Sequence, residues 1–191
     1  MQILWNRLEA WLAIHLPEIL PDLNSPASDT DISELEGIIG KKLPQDFVDS
    51  LKIHNGQTDN FRSLFPSGLL LSTSEIASQW AIWKDLLDGG DFEGCESEPS
   101  DARVRNDWWN SGWIPITYDG GGNHDCLDLN PASGGSVGQI ISMWHDMPYR
   151  ELQAENFYTW LEQHVSALES GELSYSTSES CWINQGEASG A

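Results

Sequence analysis

Basic side chains are scarce in this sequence: nine lysines and arginines face thirty aspartates and glutamates, a formal charge of −21 over 191 residues. Nucleic acid and anionic lipid are both held through cationic contacts, so a surface of this sign repels them. Cysteine is scarce too. Cys95, Cys126 and Cys181 are odd in number and show no C-x-x-C spacing, which argues for reduced thiols in a cytoplasmic chain and against a disulfide or zinc framework. No apolar run nears the ~20 residues that a membrane span needs. The first residues lack the basic region and small-residue cleavage site of a signal peptide. Phosphate-loop, zinc-protease and hydrolase-elbow motifs are missing, and so are internal repeats and heptads. No cofactor and no metal is implied.

What the sequence has in quantity is turn chemistry, concentrated between residues 108 and 146: WWNSGWIPITYDGGGNHDCLDLNPASGGSVGQIISMWHD. Residues 113–117, 125–129 and 139–144 are rich in Ile, Leu, Thr and Trp and read as strands. DGGGN and NPASGGSVG join them, with glycines free to take positive φ. Short connections between successive strands predict an antiparallel meander. The third run is apolar on both sides, as a central strand is. This sheet is the expected core. Residues 120–122 are expected to serve its turn and not a ligand.

Helical periodicity brackets the meander. Residues 3–16 carry Leu4, Leu8, Trp11 and Leu12 at helical spacing. Asp29 or Thr30 is the expected cap of a helix through Ile39, stopped by Gly40. Leu43-Pro44 starts the next, with His54 at its far end in a structural role. Ser72 and Glu75 form a capping box for a helix to about Leu87. Residues 91–107, DFEGCESEPSDARVRND, lose the pattern and read as a mobile acidic loop. Cys95 lies there between Glu93 and Glu96, whose charges disfavour a reactive thiolate. Residues 147–153 read as an exposed connection, and 156–168 as a last amphipathic helix. The expected domain is 1–169. Residues 170–191 read as a disordered acidic tail that folding does not need, unless Trp182 docks.

These blocks resemble the SUKH superfamily, which includes fungal regulators of cell-wall assembly and many bacterial immunity proteins of polymorphic toxin systems. The resemblance runs to about Leu168. It is carried by ISELEGIIGKKLPQDFVDSLKIHNGQ at residues 32–57, by the long block at 108–146, and by Asn156-Phe157-Tyr158-Thr159-Trp160-Leu161. It implies a single α+β domain, a mainly antiparallel sheet packed against helices, and a binding role without catalysis.

Three functional readings follow. The first is an immunity protein that neutralises a cognate, basic, nuclease-type toxin. Its acidic face would compete with nucleic acid for the toxin's cationic cleft. Asp91, Glu93, Glu96 and Glu98 of the loop and Asp119 and Asp125 at the sheet edge are the candidate contacts. Trp108 and Trp109 either anchor the partner or pack the sheet edge. The second is a regulatory scaffold of the fungal type. The third, least favoured, is a metal-dependent hydrolase using Asp119, His124, Asp125, Asp128, His145 and Asp146. Alternation along the strand sends His124 and Asp125 to opposite faces, against a shared metal centre.

Overall fold

The structure, a computed structural model, describes residues 1–58 and 62–185. The helices are α1 (Gln2–His15), α2 (Asp29–Ile39), α3 (Gln45–Leu51), α4 (Thr73–Gly89) and α5 (Phe157–Ser170). The strands are β1 (Leu69–Leu70), β2 (Glu98–Pro99), β3 (Trp113–Pro115), β4 (Thr117–Tyr118) and β5 (His124–Asp128). After them come β6 (Gln139–Met143), β7 (Tyr149–Arg150), β8 (Leu152–Ala154), β9 (Leu173–Ser176) and β10 (Cys181–Asn184). The fold is α+β.

Local chemistry sets the helix ends. α2 is capped one residue earlier than expected: the Ser28 hydroxyl accepts from Asp31 N and the Asp31 carboxylate accepts from Ser28 N. That reciprocal pair satisfies two otherwise orphaned backbone donors, which Asp29 or Thr30 would not do. Ser72 and Glu75 cap α4 in the same way. Pro44 sits at the N-cap of α3 and not inside it. Asn156 caps α5 by accepting from Thr159 N.

The main sheet has the order β3-β5-β6-β8, antiparallel throughout. Both β5 and β6 are buried along their whole length, so the expected double-sided burial holds for two central strands. Trp144 falls outside the pattern and is 46% exposed. The run 113–117 divides at Ile116. Its second part, β4, leaves the sheet to pair with β1. Helices cover both faces. The α4 residue Trp83 meets His124 on one, and the α5 residue Trp160 meets Asp125 on the other.

Two segments expected to lack structure have it. The acidic segment is pinned: Ser97 N donates to Asn106 O, Glu98 N to Pro148 O and Ser100 N to Arg150 O. β2 pairs in parallel with β7, inside the connection expected to be exposed. Arg150 is the reason. Its side chain is fully buried, and it donates to the carbonyls of Met147, Tyr149 and Trp108 at 2.7 Å each. Its guanidinium lies 5.3 Å from the Trp108 ring centroid and 5.9 Å from that of Trp113. One cation thus ties the connection to the chain before the meander.

The tail corrects the other expectation. β9 and β10 form an antiparallel hairpin through Asn184; residues 186–191 lie outside the described residues. Composition missed it because one residue anchors it. Trp182 Nε1 donates to Ser63 O at 3.0 Å. Its ring meets Tyr175 at 5.1 Å, His164 at 5.6 Å and Trp11 at 6.4 Å. Replacing Trp182 by Ala should cost about 2 kcal/mol for the half-buried indole and lower the thermal midpoint by roughly 6 °C. An unchanged midpoint would show that the hairpin adds nothing to the folded body.

Candidate functional site

The candidate contacts divide into three groups. Asp91, Glu93, Glu96 and Glu98 are exposed, as a rim requires. Glu98 is in β2, beside Tyr149 of β7. Trp108 is half-buried under Arg150. Trp109 is not a surface anchor: it is 2% exposed, with Trp83 at 6.2 Å and Trp80 at 6.5 Å. An indole among other indoles gains more from packing than a surface position offers.

Asp119 is exposed but already engaged. Its Oδ1 accepts from the backbone N of Gly121, Gly122 and Asn123, and its Oδ2 accepts from Asn123 Nδ2. Burial alone would raise its pKa, yet these donors outweigh it and hold the carboxyl below its usual value. The turn needs glycine at Gly120 (φ +88°) and Gly122 (φ +110°), whose Cβ would lie 3.1 Å from the His145 ring. Gly121 has no such demand. Asn123 then accepts from His145 N, tying the turn to the segment after β6.

The hydrolase constellation is taken apart by its partners. His124 Nε2 accepts from Trp83 Nε1 at 3.1 Å, so the proton sits on Nδ1, which donates to Thr117 O at 2.6 Å. Burial depresses its pKa and keeps it neutral. Both ring nitrogens are occupied. Asp128 accepts from Asn130 N and Gln139 Nε2. Asp125 faces the opposite side of β5. Among the described residues, no group of three or more His, Cys, Asp or Glu could hold a metal ion.

Asp125 proves to be the floor of a groove, not an edge contact. It is 7% exposed, and burial raises its carboxyl to about pKa 6 against the pull of hydrogen bonds with Ser67 and Trp160. The groove has a volume of about 660 Å³. Asp125 and Ser142, cross-strand partners on β5 and β6, lie at its base. Trp160, Gln163 and His164 of α5 form one wall. Trp144, Glu151 and Gln153 form the rim opposite, and Glu172 and Asn184 of the tail hairpin close one end. A volume of this size lies within the ~300–1,000 Å³ of typical ligand sites.

Sequence reasoning missed the surface beside that groove. Trp144 is 46%, Met147 47% and Tyr149 54% exposed within six residues, and Asp146, Glu98 and Glu151 are exposed around them. Aromatic and Met side chains framed by charge are the composition of interface cores. A signal was present: three large apolar residues in a proline-containing connection with no periodic partner.

The comparisons with known proteins agree with this architecture. The profile of the SMI1 / KNR4 family (SUKH-1) matches residues 26–163. The chain is 28% identical to a glucan synthesis regulatory protein of Neurospora crassa, over 87% of this chain and 38% of that protein. It is 25% identical to the cell wall assembly regulator SMI1 of Saccharomyces cerevisiae, over 87% of this chain and 40% of the relative. It is 27% identical to the cell wall biosynthesis/cell cycle regulator smi1 of Schizosaccharomyces pombe, over 88% of this chain and 36% of the relative. The chain therefore spans well under half the length of these relatives. No helix among the described residues is long and apolar enough to cross a membrane. With a profile covering most of the sequence, the chain belongs to the SMI1 / KNR4 family (SUKH-1).

Proposed function

We propose that this chain is a non-catalytic, protein-binding regulatory domain, acting in cell-wall assembly as its relatives are named to do. The observation that carries the reading is the match to regulators over 87% of the chain. It weighs for the scaffold alternative and against toxin neutralisation, since the relatives named above are regulators of glucan synthesis or the cell wall. The site chemistry points the same way. His124 and Asp128, which a hydrolase would use, are spent on structural hydrogen bonds, whereas the Trp144–Met147–Tyr149 surface is apolar, exposed and framed by acids. A partner with a basic, apolar-centred face fits it.

The test is affinity capture from the source organism, followed by kinetics with the purified partner. Trp144→Ala combined with Tyr149→Ala should raise the dissociation rate by roughly 30-fold or more, as loss of at least ~2 kcal/mol at a hot spot does. Both side chains are exposed, so the fold should survive. Neutralising Glu96 and Glu98 should instead slow association and flatten its salt dependence. A partner that binds both variants with unchanged rates would remove this surface. Unaltered sensitivity to wall-perturbing agents after disruption of the gene would remove the cell-wall assignment.

A further inference from the structure

The groove beneath Trp144 joins three carboxylates to aromatic faces, with serine and amide side chains between them. Asp125 is at its base, and Glu151 and Glu172 line the same space. Among the described residues no lysine or arginine lines it. A carboxylate this far from water, bonded by a hydroxyl and an indole, has no cation beside it among the described residues, although a buried charge is usually accompanied by one.

His164 is an independent mark. It is 9% exposed and lines the groove; its Nε2 is shut off from solvent and has no hydrogen-bond partner among the described residues. Burial drives its pKa down to about 3, so the ring is neutral and that nitrogen presents a lone pair. Buried polar atoms are nearly always satisfied, so an acceptor left unpaired in the wall behind a groove is unusual. Trp144, Trp160 and Phe65 add aromatic surface to the same walls. What matches a buried carboxylate between aromatic walls is a group with several N–H donors, no acceptor, a positive charge and a planar face. Guanidinium has each of these properties, and indole faces attract it.

We propose that the groove receives an arginine side chain presented by a protein partner, with Asp125 as its charged anchor and Trp144 as its stacking face. This rests on the partner-binding reading and names the feature of the partner that is recognised. The volume, about 660 Å³, exceeds one side chain and accommodates the residues flanking the arginine. The tail hairpin belongs to the site, since Glu172 and Asn184 close its end.

The experiment titrates the isotope-labelled full chain with a capped Gly-Ser-Arg-Ser-Gly peptide and with its neutral citrulline counterpart. Amide and indole N–H signals are followed by NMR. The arginine peptide should give saturable shifts at Ser67, Ser142, Trp144 and Trp160, and the citrulline peptide should bind at least tenfold more weakly. Asp125→Asn should weaken arginine binding at least tenfold. Glu151→Gln with Trp144→Ala should do so as well, and because both positions are exposed that loss cannot be blamed on misfolding. Glu18→Gln with Glu34→Gln, both exposed and outside the groove lining, should change nothing. Equal shifts from the two peptides, or unsaturable shifts spread over the acidic loop, would overturn the proposal. So would tighter binding of free spermidine than of the peptide, which would assign the groove to a small cation. A captured partner that binds Asp125→Asn at full strength would overturn the groove while leaving the partner-binding reading standing.

Discussion

Replacing Arg150 by Met should destabilise the protein by about 4 kcal/mol and lower its thermal midpoint by roughly 10 °C. Methionine matches much of the volume, so the loss is not one of packing alone. The guanidinium satisfies three carbonyls, those of Met147, Tyr149 and Trp108, and each would lose that donor. An unsatisfied buried acceptor costs about 1–3 kcal/mol. Burial depresses the arginine's pKa to about 10, so keeping the charge is itself unfavourable; the hydrogen bonds and the two tryptophan faces offset that. A hydrophobic residue often replaces a buried ion pair without loss, because both charges leave together. Here no carboxylate among the described residues hydrogen-bonds to Arg150, and the three carbonyls stay behind. Lysine should also fail, since one ammonium cannot keep the fork that bridges three acceptors while stacking on indoles. Thermal denaturation is the measurement. A midpoint within about 3 °C of the parent would mean that the carbonyls find other donors. Hydrogen exchange should show the effect first at β2 and β7, which Arg150 holds together.

Arg150 also marks where sequence reading stopped. The meander was legible because each strand alternates or runs apolar between glycine-rich turns. The helices were legible because Ser72-x-x-Glu75 and the positions of Gly40 and Gly90 carry their own chemistry. Such signals are local. The arginine's role is not, since it depends on carbonyls 42 residues away along the chain, and a lone Arg in MPYRELQ looks like any exposed cation. Trp182 is the same case in the tail: Gly, Ser and Glu around it spell disorder, and only the distant Ser63 carbonyl and the α5 residue His164 explain why it docks. The candidate site was half visible. Glu98 lies beside Tyr149, and Asp125 was singled out for its charge. That Asp125 is buried while Trp144 is exposed reverses the usual preference of both residue types, and periodicity cannot show such an inversion.

That inversion has a thermodynamic consequence at Asp125. Its folded pKa is about 6, against 3.8 in an open chain, because burial penalises the ionised form. Below pH 3.8 both states hold the proton and the group costs nothing. As pH rises from about 4 to 6 the unfolded chain releases its proton first, so stability falls across that window. Above pH 6 the full penalty is present, about 3 kcal/mol at 1.36 kcal/mol per unit. The other groups in the groove do not relieve it: Glu151 and Glu172 carry the same sign, and His164 is neutral above about pH 3. Asp125→Asn should therefore stabilise the protein at pH 7 by about 2–3 kcal/mol and give no gain near pH 3.5. Urea denaturation of both proteins from pH 3.5 to 7.5 isolates the effect, because subtraction removes the carboxylates they share. A gain that does not vary with pH, or none at pH 7, would sink the assignment. A position where a single amide substitution improves stability persists when the charge serves something other than folding. A cation entering the groove reverses the sign of the effect: it favours ionised Asp125, returns the penalty as binding free energy, and makes association release a proton below about pH 6.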